Sequence, residues 1–85
     1  MWTEAADLEI LMERLAEAGV SMLLRVDVER YNENTPHWTL AFGGPALDSD
    51  TAFRVDARTL GQCVSRGLRR LRDQHESWDW LDDWV

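Results

Sequence analysis

Lysine is absent from this chain of 85 residues, and all nine of its basic residues are arginine. That usage reads as the codon preference of a GC-rich genome, bacterial or phage. Against sixteen acids the arginines leave a net charge of -7. A chain of that sign is repelled by nucleic-acid phosphates unless its arginines gather on one face. Cysteine is nearly absent too. The single thiol, Cys63, cannot close an internal disulfide, so nothing points to an oxidising compartment. Only two histidines occur, His37 and His75, and neither has a cysteine or histidine at metal-ligand spacing. No apolar run approaches the length of a membrane span. Residues 1–20 carry acids where a secretion signal carries positive charge, so the cytoplasm is the expected location. Gly43-Gly44-Pro45 lacks the lysine and spacing of a phosphate loop. No serine, histidine and acid form a local nucleophile signature. Neither enzyme activity, a cofactor nor a metal site is expected, and no catalytic residue can be named.

What is present is the pattern of one small α+β domain. Apolar residues make up 45% of the chain and charged residues 29%, the proportions of a globular protein. Residues 3–18 read as an amphipathic helix, with Leu8, Leu11, Met12 and Leu15 at helical spacing, Thr3 as N-cap and Gly19 as stop. Residues 20–31 switch to a period of two. Val20, Met22, Leu24, Val26 and Val28 point inward, and Ser21, Leu23, Arg25, Asp27, Glu29 and Tyr31 outward. Residues 32–36 carry turn chemistry, and His37–Phe42 alternates again with Trp38, Leu40 and Phe42 inward. Thr51–Val55 is a candidate third strand. Asp56 is the expected N-cap of a second helix striped by Leu60, Cys63, Val64, Leu68 and Leu71. Gly61 and Gly67 each lower its helix propensity by roughly 1 kcal/mol, a cost that close packing on the sheet would explain.

The expected architecture is a two-layer α-β-β-β-α fold: a three-stranded antiparallel sheet with two helices packed on one face. Residues 1–74 form the domain. Residues 75–85 differ in kind, with three of the five tryptophans of the chain among four acids and no base. They read as a helix extension or a short docking helix. In an α-helix Trp78, Leu81 and Val85 would share one face and Trp80 and Trp84 another. The other sheet face, with Arg25, Asp27, Glu29 and Thr39, would meet solvent or a partner.

Charge is divided along the chain. Residues 1–50 hold ten acids and three arginines, residues 51–74 hold two acids and six arginines, and the tail is acidic again. Arg58, Arg66, Arg69, Arg70 and Arg72 form the basic block. Its structural reading is a solvated helix face, favoured near a helix C-terminus, or a face paired with acids of the first helix or the tail. Its functional reading is a patch for phosphate or an acidic partner. The tail tryptophans also have two readings: they close the open end of a small core, or they are rigid anchors for a partner ringed by charge. On the second reading Trp78, Asp79, Trp80, Asp82, Asp83 and Trp84 form the binding site. Cys63, on the apolar stripe, is expected to be a buried, inert thiol.

The order of elements is similar to that of double-stranded RNA-binding domains. Those domains place a lysine-rich run at the start of the second helix, where this chain has Asp56, Ala57 and Arg58. Small size, acidity, clustered tryptophans and missing catalytic groups fit instead a protein that acts by binding another protein. Inhibitors and adaptors are of this kind: immunity proteins, antitoxins and anti-CRISPR-like anti-defence proteins, some of them nucleic-acid mimics. The expected partner is a basic nucleic-acid-binding protein or nuclease. The alternatives are a nucleic-acid-binding module using the arginine face, and a structural homo-oligomer such as a homodimer.

Overall fold

The computed structural model describes residues 5–84. Helix α1 (Ala5–Glu17) ends where the sequence supplies a left-handed residue, Gly19 at φ 86°. Gly19 N–H donates to Ala16 O at 3.0 Å and Val20 N–H to Leu15 O at 2.9 Å, which satisfies carbonyls the helix would leave open. Thr3, the expected N-cap, lies outside the described residues, as do Trp2, Glu4 and Val85.

Strand β1 (Ser21–Val26) is shorter than the alternation suggests. The period of two runs on past Val26, but Asp27 turns the chain. Its carboxylate accepts from Arg30 N–H at 3.0 Å and caps a five-residue helix, α2 (Val28–Asn32). Asp27, Glu29 and Tyr31 therefore do not stand on the outer face of a strand. Asn34, at φ 59°, completes the reversal.

Strand β2 (Trp38–Gly43) pairs antiparallel with β1 and with β3 (Phe53–Ala57), giving the sheet order β1-β2-β3. The register aligns Leu24, Leu40 and Val55 on the inner face, and Arg25, Thr39 and Asp56 on the outer. β3 starts and ends two residues later than the sequence suggests, because Thr51 belongs to a turn. Asp48 Oδ1 accepts from the N–H groups of Asp50 and Thr51 at 2.9 and 3.0 Å. Asp56 is consequently a strand residue and not a helix cap. Thr59 caps helix α3 (Leu60–Arg72), its hydroxyl accepting from Gln62 N–H at 3.1 Å.

The stripe of α3 is buried as expected, with Leu60 at its partly open end. Leu11 and Leu15 of α1 join Val64, Leu68 and Leu71 of α3 in one core over Leu40 and Phe42. The chain closes with a 3₁₀ helix (Glu76–Asp83), not an α-helix. At three residues per turn Trp78, Leu81 and Trp84 share one edge, so Trp84 sits with Trp78 rather than with Trp80. Trp78 and Leu81 are buried, while Trp80 and Trp84 are half-buried against the core.

Candidate protein-binding surface

The tail residues do not converge on one exposed surface. Trp78 is 8% exposed and belongs to the core. Trp80 lies under the Arg14 guanidinium, 4.6 Å from the ring centre, which ties the tail to α1. Asp79, Asp82 and Asp83 are exposed. Asp82 is engaged by Arg72 at 2.8 Å. The tail thus presents carboxylates to solvent over aromatic rings that turn inward.

The basic block disperses in the same way. Arg70 stacks on the Phe53 ring at 4.4 Å, Arg72 pairs with Asp82 and Asp73, and Arg58 donates to Asn34 Oδ1 at 3.3 Å. Arg66 and Arg69 remain on the outward side of α3, where they flank a shallow hollow with Gln62 and Ser65.

On the outer sheet face, charges are matched internally. Arg30 reaches from α2 across the sheet to Thr39 Oγ1 at 2.8 Å and Asp56 Oδ1 at 3.1 Å. Thr39 donates to Asp56 at 2.7 Å and is buried by this cover, although its strand parity faces it away from the core. The Thr39 hydroxyl, followed by Arg30 and Arg54, holds the Asp56 carboxyl below its usual range against the opposing effect of burial. Asp27 is lowered likewise, first by the Arg30 backbone N–H and then by Arg25. Cys63 sits at the opposite extreme. Burial, reinforced by the charge of Asp56, pushes its thiol up. Its Sγ–H points at Val55 O (3.4 Å) and Trp38 O (3.6 Å). These groups are paired or sequestered, and none is poised as an acid, base or nucleophile. Among the described residues no group of three His, Cys, Asp or Glu side chains could hold a metal ion.

Among the described residues the exposed large apolar side chains are Ile10 on α1 and Leu23, Val26, Val28 and Tyr31. The last four are 65%, 52%, 69% and 62% exposed and follow one another along β1 and α2. By strand parity Leu23 stands on the outer sheet face and Val26, opposite Trp38, on the inner. Tyr31 is fixed by His37, edge to face at 5.0 Å. The alternation places Val26 and Val28 in the core and Leu23 on a wet face. The structure leaves Val26 and Val28 exposed as well, because the strand ends at Val26. Leu23, the one large aliphatic in an otherwise polar outward row, was the available signal.

Compared with family models, curated proteins and solved structures, the chain matches none of them. Among the described residues no helix is long and apolar enough to cross a membrane.

Proposed function

We propose that the chain acts by binding another protein, as an inhibitor or adaptor of the immunity-protein, antitoxin or anti-defence kind, and that it docks through β1 and α2. The observation that carries this reading is the run of Leu23, Val26, Val28 and Tyr31 left open to solvent beside a core that takes in nearly every other large aliphatic side chain of the sheet and α3. Exposed apolar surface rimmed by charge marks interaction sites, and Leu23 on the outer sheet face and Tyr31 on α2 are the candidate anchors. The net charge of -7 favours encounter with a basic partner, as a nucleic-acid-binding protein or nuclease is. On this reading the exposed acids of α1 and the tail would stand in for phosphates toward such a protein. The nucleic-acid-binding alternative draws less support, because three of its five arginines are engaged within the molecule.

The test is affinity capture from the native host with paired variants. Leu23→Asp with Tyr31→Asp, both at exposed positions, should leave the fold intact and weaken capture by about thirtyfold or more, the effect of losing hot-spot residues. Unchanged capture by that double variant would remove the β1–α2 surface from consideration.

A further inference from the structure

The surface just described includes a strand edge, and its surroundings specify what can occupy it. Among the described residues β1 is an outer strand of the sheet, paired on one side only, with β2. Just before it the chain is closed off, since Ala46 N–H donates to Gly19 O at 2.8 Å. Among the described residues no backbone group other than those of β2 hydrogen-bonds to residues 22–26. Outer strands normally carry devices that discourage pairing, such as proline, a bulge or a free charge. Here the only charge is Arg25, already neutralised by Asp27 at 2.9 Å.

Two features flank this edge on the helix side. A hollow lies between α1 and β1, lined by Met12, Ala16, Val20, Met22 and Pro45. Glu9 and Glu13 stand one helical step from Met12 and Ala16, three residues before each, on the side away from the core. Both glutamates are exposed, and neither makes an ion pair among the described residues. An acidic row thus borders an apolar hollow beside an open strand edge. On the other side of the sheet, the edge is flanked by Leu23 and, two residues on, by Arg25 with its Asp27 partner.

Resting on the protein-binding reading above, we infer that the β1 edge receives an extended segment of the partner that alternates basic and apolar side chains. Main-chain hydrogen bonds to β1 would supply affinity, and the two faces of the added strand would supply selectivity. On the helix side an arginine or lysine lays its methylenes along Met12 and Met22 and brings its charge to Glu9 or Glu13. On the outer side an apolar residue covers Leu23, beside the Arg25–Asp27 pair. A second copy of this chain is the wrong occupant. Antiparallel pairing of two β1 strands keeps both α1 helices on the same face and turns their Glu9–Glu13 rows toward each other.

The probe is the hexapeptide acetyl-(Arg-Val)3-amide, titrated into the isotopically labelled full chain, with acetyl-(Glu-Val)3-amide as its opposite. The expected result is binding of the arginine peptide alone, with exchange protection gained by alternate amides of β1, those not facing β2. Glu9→Gln with Glu13→Gln should weaken binding about fivefold to tenfold, as loss of two exposed ion pairs predicts. Glu9→Lys with Glu13→Lys should abolish it. Equal binding of both peptides, binding without protection of β1, or no binding at millimolar peptide overturns the inference. So does a dimer in sedimentation whose β1 amides are already protected. If one of these occurs while Leu23→Asp with Tyr31→Asp still loses the natural partner, strand addition alone has failed. If that double variant keeps the partner, the surface reading itself has failed.

Discussion

Gly67 is where α3 comes closest to the sheet. A Cβ there would collide with Leu40 Cδ2 and press on Phe42 at 3.1 Å, and both neighbours are buried. Gly67→Ala should raise helix propensity by about 1 kcal/mol. Overpacking costs about 1–3 kcal/mol. The collision outweighs the propensity, so the variant should be destabilised by about 1 kcal/mol in urea unfolding. A more stable variant would mean that Leu40 yields freely. Cys63, on the same helix, is fully buried with its thiol held up by burial. It should react with a thiol reagent only as fast as the chain opens. Labelling of the native protein at the rate of the unfolded chain would contradict this burial.

At the scale of elements, α2 is held to the sheet by charge. Asp27 caps it, and Arg30 reaches Thr39 and Asp56. Asp27, Asp56 and the turn residue Asp48 all have folded-state pKa values below the ordinary 3.8. The unfolded chain then binds more protons in acid, so these groups add stability above that value. The contribution is lost as pH falls through their lower folded values. Stability should thus hold between pH 7 and 5 and fall below pH 4, with Asp56→Asn making the acid limb shallower. Melting temperatures across the pH series check this; an identical acid limb in Asp56→Asn would remove Asp56 from the account. The same element shows where sequence reading stops. The α3 stripe was legible because Leu60, Cys63, Val64, Leu68 and Leu71 fit one helical period and no other. Val26-Asp27-Val28-Glu29 alternates as a strand does. Only the hydrogen bond from Arg30 N–H to the Asp27 side chain, a matter of local geometry, makes it a cap. Asp56 was open to the same error in reverse: it has the composition of a cap and the position of a strand residue. The candidate surface was less legible still, because exposure of Leu23 and Val28 depends on which side of β1 the rest of the chain covers.

For the whole molecule the decisive fact is that the acidic tail is also a wall of the core. Leu81 is fully buried and Trp78 nearly so, both against the body that residues 5–72 build. A domain of this size has a stability of about 5–15 kcal/mol at most. Truncating a buried tryptophan costs about 3–5 kcal/mol. Trp78→Ala should therefore bring the chain close to unfolding at physiological temperature, and removal of residues 75–85 should abolish the cooperative transition. Loss of binding in either variant would report folding, not contact. Asp79→Asn with Asp83→Asn separates the two roles, because both side chains are exposed and neither makes an ion pair among the described residues. That variant should keep the wild-type melting temperature. Any change in partner association should appear in the on-rate and diminish with added salt, since rim charges act through steering. A fall in dissociation half-life at high salt, with the on-rate unchanged, would instead place these carboxylates in direct contact with the partner and extend the interface from β1 and α2 to the tail.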